Sequence, residues 1–301
     1  MVTDDYPHGP GLPAENIEAL LAKTQYRLMR RLGGGRTADV YEVRHQVLGR
    51  HFVLKVLRSH LASDARFADR LRFEAQAAAR VRHPNVVEMI DLWISPRGNP
   101  CVVMELLDGR TIGQELAARN QLPAAEAVNL AQQALLGLGA AHALGVVHCD
   151  ITPENLFVHD PPGFPPRLKI LDFGLARVLP NAPGHAPDPL TMPTKTGAVL
   201  GSPRFMAPEA ARGERVDHRA DLFSLGVVLY LMLTGHGPHD VRAAHVAPPS
   251  RYARGEIDGQ LDTIALRAIA DCVDARYQSA DEFAIELKKL PLAPPRPGTL
   301  S

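Results

Sequence analysis

Cysteine is scarce: the 301 residues hold three, Cys101, Cys149 and Cys272, widely spaced and odd in number. That excludes a disulfide framework and a cysteine-rich zinc site, and it suits a reducing compartment. Net charge is absent as well, with 33 Lys and Arg against 33 Asp and Glu. No global field therefore favours nucleic acid or an anionic membrane, and neither is expected as a partner. Long apolar runs are also missing. The most apolar stretch, Leu222–Leu233, is interrupted by Ser224 and Gly226, whereas a membrane span needs about twenty apolar residues. The opening Met1-Val2-Thr3-Asp4-Asp5 is acidic and lacks the apolar core of a secretory signal. Together these absences lead to the expectation of a cytoplasmic protein.

What is present is enough apolar material for a sizeable core, at 46% of residues, in a length that permits one large domain or two lobes sharing a cleft. The chain is organised around His148-Cys149-Asp150-Ile151-Thr152-Pro153-Glu154-Asn155, with Asp172-Phe173-Gly174 following. A carboxylate, an amide and a second carboxylate form a plausible set of oxygen ligands for Mg²⁺, which is usually shared between one or two carboxylates and substrate phosphates. Each residue alone is more often a turn former. Upstream, Gly33-Gly34-Gly35 would let backbone N–H groups approach an anion, or would simply make a hairpin turn. Lys55 interrupts the apolar run Phe52–Leu57. On a strand such a lysine is ordinarily a snorkelling residue. The stretch Ser63–Val81 carries an apolar stripe at helical spacing with Glu74 at its border. Glu74 suits an ion pair with Lys55, or else an i,i+4 pair with Arg70 on a solvated face.

In this order the pieces resemble the protein kinase family, in its bacterial Ser/Thr form. His148–Asn155 is similar to the catalytic loop and Asp172-Phe173-Gly174 to the metal-binding motif. The resemblance runs from about residue 26 to about residue 290, and it implies an α+β, bilobal fold: a small β-rich N-lobe with one helix and a larger, mainly helical C-lobe. Asp150 would be the catalytic base, with Asn155 and Asp172 holding Mg²⁺ (or Mn²⁺). Lys55, paired with Glu74, would hold the α- and β-phosphates of ATP. The nucleotide would also touch Gly33, Gly34, Gly35, Val40, Val53, Met104 and Phe157, and the backbone of Glu105 to Leu107 at the hinge. Three departures stand out: Ala38 replaces the third loop glycine, Cys149 the usual arginine and Thr152 the usual lysine.

The expected organisation is a flexible tail over 1–25, an N-lobe over 26–107, a C-lobe over 108–290 and a flexible tail over 291–301. Five strands are expected in the N-lobe. The C-lobe is expected to hold a long helix over Ala124–Leu144, a buried helix around Leu222–Leu233, and closing helices over Leu261–Ala270 and Ser279–Leu290. Residues 175–204 resemble an activation segment, with Thr191, Thr194 and Thr196 as candidate phosphorylation sites. The resemblance also implies that Asp221 accepts backbone N–H groups from the catalytic loop and that Arg276 pairs with Glu209. The function implied is transfer of the γ-phosphoryl of ATP to protein Ser or Thr hydroxyls, with homodimers serving trans-autophosphorylation. Loss of the Thr152 charge points to reduced activity. The alternatives are a nucleotide-binding pseudokinase acting as a scaffold or switch, and a small-molecule phosphotransferase of the same broad fold. The Met206-Ala207-Pro208-Glu209 segment and Arg276 argue against the latter.

Overall fold

Phe52-Val53-Leu54-Lys55-Val56-Leu57 is an apolar run broken by one lysine, and burial alternates along His51–Leu57 as on a strand whose two faces differ. In the computed structural model this stretch is β3 (His51–Leu57), in a five-stranded antiparallel sheet with β1 (Tyr26–Gly34), β2 (Ala38–His45), β4 (Met89–Ile94) and β5 (Pro100–Glu105). The strand order is β1-β2-β3-β5-β4. The structure describes residues 14–34, 38–57, 79–95, 98–172, 177–178, 203–238, 240, 246–254 and 257–292. Residues 63–78 of the expected helix over 63–81, with Glu74, lie outside these residues, as do Gly35, Phe173, Gly174, the threonines at 191, 194 and 196, and much of both tails; Ala79 and Arg80 form a turn.

Contacts divide the chain into two compact units, one of Met1–Ala79 with Val87–Asp108, the other of Arg80–Val86 with Gly109–Ser301. In the first, α1 (Ala14–Leu21) precedes the sheet, two turns of helix where one was expected. Its Ile17 and Leu21 are buried against Tyr26, Tyr41, Val43, Phe52, Leu54, Val56, Cys101 and Val103. Burial in this apolar setting pushes the Cys101 thiol up to about 12, so this cysteine is an inert core residue.

The second unit is mainly helical. The helices described are α2 (Ile112–Arg119), α3 (Ala124–Ala143), α4 (Pro208–Ala211), α5 (Arg219–Thr234), α6 (Gly259–Ala268) and α7 (Ala280–Lys288). Two small sheets join them: β6 (Gly109–Thr111) with β8 (Leu156–His159) and β9 (Arg167–Ile170), and β7 (Val146–Val147) with β10 (Arg177–Val178). Caps explain several boundaries. Thr111 and Gln114 form a reciprocal capping box on α2, and the Ser279 side chain accepts from Glu282 N–H at the start of α7. Gly109, at φ +132°, passes so close to β8 that a Cβ there would lie 1.9 Å from Val158 O, so only glycine fits.

Helix α5 is apolar on every side, and all residues from Ala220 to Thr234 are buried, as expected of a helix at the centre of a unit. Around it, Arg276 and Glu209 form the bridge the sequence suggests. Nη1 and Nη2 of Arg276 donate to the two Glu209 carboxylate oxygens at 2.8 Å each, and Nε donates to Ala270 O at 2.7 Å. The guanidinium lies over the Phe223 ring and Arg276 is fully buried. A lone charge at such a site is costly. Glu209→Ala should therefore destabilise the protein by about 3–5 kcal/mol, read as a lowered urea midpoint. Glu209→Leu combined with Arg276→Met should recover much of the loss, because no charge is then left unpaired.

Candidate functional site

Asp150 and Asn155, a carboxylate and an amide of the second unit, are joined by short bonds. Asn155 Nδ2 donates to Asp150 O at 2.8 Å and to Asp150 Oδ2 at 3.1 Å. With its nitrogen committed, Asn155 turns its oxygen into the ligand-capable atom. Asn155 follows a short 3₁₀ turn, Pro153–Asn155, and its carbonyl accepts from Leu171 N–H at 2.8 Å. That bond ties the loop to the residue before Asp172. His148 makes a second tie, its Nε2 lying 2.7 Å from Leu171 O. A carbonyl can only accept, so Nε2 carries the proton there.

The loop is held from below by Asp221 in the first turn of α5. Its Oδ1 accepts from Cys149 N–H at 2.8 Å, and its Oδ2 from His148 N–H at 2.9 Å and His142 Nε2 at 2.8 Å. Burial pushes the Asp221 carboxyl up. The bond from His142, the nearby imidazoles and the His148 N–H outweigh that and hold it below the usual carboxylate range. Cys149, whose N–H reaches Asp221, has φ +66°, and Asp172, next to Leu171, has φ +57°. Non-glycine residues with positive φ are uncommon, and such geometry persists where surrounding bonds over-determine it.

His142 was absent from the sequence reading. The only cue was a polar residue inside the last turn of an otherwise apolar, alanine-rich helix. Its side chain is 9% exposed, and among the described residues its Nδ1 has no hydrogen-bond partner.

In the first unit, strand register puts Val40, Val53, Lys55 and Met104 on one face. Val40 pairs with Lys55 and Val53 with Met104, and directly opposed residues share a face. Gly33 and Gly34 extend β1 opposite Val40 and Asp39, so they are strand residues and not a free loop. Neither takes a left-handed φ. The Glu105 N–H is used on Glu88 O at 3.0 Å, and Leu107 lies beyond the end of β5. Phe157 is buried in β8, opposite Thr111 and Lys169.

The protein kinase domain model matches residues 26–252. The chain belongs to the protein kinase family. It is 34% identical over 275 residues to serine/threonine-protein kinase pkn3 of Myxococcus xanthus, covering 88% of this chain and 49% of that one. With PknB of Mycobacterium tuberculosis it shares 34% identity over 279 residues, 88% of this chain and 43% of that one. The crystal structure of the Mycobacterium tuberculosis PknI kinase domain aligns with a TM-score of 0.70 at 27% identity, over 88% of this chain and 96% of that one. The α+β protein-kinase fold is thus the fold of this chain. The chain spans about half or less of the length of the curated relatives it matches. Among the described residues no helix is long and apolar enough to cross a membrane.

For this kinase domain the Asp221 carboxylate predicts a pH signature. Its folded pKa is depressed, so its stabilisation is fully present above the unfolded value of about 3.9 and is lost as pH falls through the folded value. Urea midpoints measured downward from about pH 5 should fall less steeply below about pH 4 in Asp221→Asn than in the unsubstituted protein. Equal slopes would show that the Asp221 carboxyl titrates alike in the folded and unfolded states and is not depressed by the fold.

Proposed function

We propose that this kinase domain transfers the γ-phosphoryl of ATP to Ser or Thr hydroxyls of proteins, and that it autophosphorylates. The observation that carries this reading is the bonding of Asn155 to Asp150 within a loop anchored on Asp221 and tied to Leu171. In the proposed reaction the substrate hydroxyl oxygen forms a bond to the γ-phosphorus while the bond to the β-bridging oxygen breaks. ADP leaves, and Asp150 accepts the hydroxyl proton. Lys55 holds the non-reacting phosphates, with Glu74 as its proposed partner.

The donor set fits Mg²⁺ or Mn²⁺. Asn155 offers an amide oxygen and Asp172 a carboxylate, the hard oxygen ligands that such ions share with phosphate and water. Among the described residues no three His, Cys, Asp or Glu cluster as a metal site; Asn155 and Asp172 are the proposed protein ligands. When bound, the ion would offset the charge on the phosphate oxygens. For the nucleotide, Gly33 to Gly35, Val40, Val53, Met104, Phe157 and the Glu105–Leu107 backbone are the proposed contacts. The proposed N-lobe covers 26–107 and the C-lobe 108–290.

Thr152 makes the proposed activity a reduced one. It is buried, at 3% exposure, and its side chain makes no capping bond to the 3₁₀ turn it precedes. It brings no charge toward the γ-phosphate, where preorganised electrostatic contacts in other sites are worth roughly 3–4 kcal/mol. The same residue favours the second reading, a nucleotide-binding pseudokinase. Cys149 offers no guanidinium to bind a phosphorylated threonine, so activity is proposed to depend little on phosphorylation at Thr194 or Thr196.

Incubation with Mg²⁺ and γ-labelled ATP separates the two readings. Label should enter the chain itself and a generic protein substrate, and Asp150→Asn should lower the rate by roughly 10²–10⁴-fold. ATP binding with no incorporation above that control would establish the pseudokinase instead. If the missing charge limits turnover, Thr152→Lys should raise kcat by about tenfold or more.

A further inference from the structure

The stretch matched to the protein kinase family begins at residue 26, yet the packing of the small unit begins earlier. Ile17, Leu20 and Leu21 stand at i, i+3 and i+4 on α1, one stripe of the helix. Ile17 and Leu21 are 0% and 4% exposed, and Leu20 packs against the same cluster. Glu18 and Ala19 between them are exposed. The helix end is fastened to the sheet. Thr24 Oγ1 donates to Leu21 O at 2.9 Å and accepts from Tyr26 N–H at 3.2 Å, while Gln46 N–H donates to Gln25 O at 2.8 Å. Below α1 lies an aromatic floor. Tyr26 stacks on Trp93, with ring planes 5° apart, and meets Phe52 edge-on.

The face that α1 covers is the reverse of the one carrying Lys55. Tyr41 pairs with Leu54, and Leu54 with Val103, all three in the cluster under α1. One residue along the same strands, Val40 pairs with Lys55 and Lys55 with Val102. Successive strand residues point to opposite faces, so each pleat of β2 and β3 sits under α1 on one side and presents a proposed nucleotide contact on the other.

We propose that α1 is a clamp on the outer face of the sheet, and that Ile17 and Leu21 are positioning residues which hold β2 and β3 in the shape that presents Val40 and Lys55 to nucleotide. The effect on affinity rests on the proposed function, whereas the clamp itself does not. With α1 seated, β2 and β3 are rigid. With α1 released, the apolar floor of Tyr26, Phe52 and Trp93 is open to water and the two strands exchange between shapes. Apparent affinity then falls in proportion to the fraction of molecules in the competent shape.

Trp93 is the only tryptophan in the chain, so its emission reports on this floor directly. The test compares the full chain with Ile17→Asp and with the milder Ile17→Ala, should the aspartate variant fail to fold, and uses Ile17→Val as the conservative control. Without any nucleotide, Ile17→Asp should red-shift Trp93 emission and speed hydrogen exchange at the amides of Val40, Leu54 and Lys55, while urea unfolding stays cooperative. Ile17→Val should leave both near the unsubstituted values. With Mg²⁺ and ATP, a fall of the competent fraction to a tenth would raise the apparent dissociation constant about tenfold. Unchanged Trp93 emission would mean that α1 does not sit on the sheet in solution, and the proposal falls. A shifted emission with unchanged exchange in β2 and β3 also overturns it, since α1 would then be a passive cover. Failure of the unsubstituted chain to bind ATP would sink the proposed function, leaving the emission and exchange results to decide the clamp.

Discussion

One buried carboxylate organises the larger unit. Asp221 collects two backbone N–H groups from the loop that carries Asp150, and one imidazole from α3. Bonds to an ionised acceptor are about twice as strong as neutral ones, and here they hold a bend that an isolated chain would not keep, with Cys149 at φ +66°. The rest follows by short links. His148 reaches Leu171 O, Leu171 N–H reaches Asn155 O, and Asn155 Nδ2 reaches Asp150. Each link places the next polar atom without relying on long, freely rotating side chains.

The carboxylate can do this because of where α5 lies. The helix is buried from Ala220 to Thr234, so Asp221 is removed from water and cannot satisfy itself with solvent. Its oxygens must be filled by protein donors, and the loop supplies them. Glu209 and Arg276 repeat the arrangement, with the Arg276 guanidinium also spending bonds on Ala270 O and Asp271 O. Both of these buried charge centres are filled from several segments. Buried ionic groups of this kind act on specificity of arrangement more than on net stability.

The smaller unit works by a different means. Its sheet has one face packed under α1 and the reverse face lined by Val40, Val53, Lys55 and Met104. Polar bonds fasten its strands, Arg30 and His51 to Glu42, Arg31 to Asp39 and Asn99 to Leu57 O, while the layer under α1 is held by interdigitated aliphatic and aromatic groups. The lone tryptophan and both cluster tyrosines stand in or beside this packing.

Much of this was readable along the chain. The apolar run broken by Lys55 marked β3, the apolar stretch at 222–233 marked a central helix, and Pro123 and Gly145 bracketed α3. Those are local signals, set by side-chain period and by the backbone limits of proline and glycine. The motif around Asp150 and Asn155 named the polar atoms, because the residue types themselves limit which bonds can form. What only the tertiary structure decided is where distant residues meet. Nothing local marks His142 as a partner of Asp221, 79 positions away, nor sets Ile17 against Phe52 and Leu54 across the sheet. Such contacts arise when folding removes water from both partners at once, so no stretch of sequence read alone carries them.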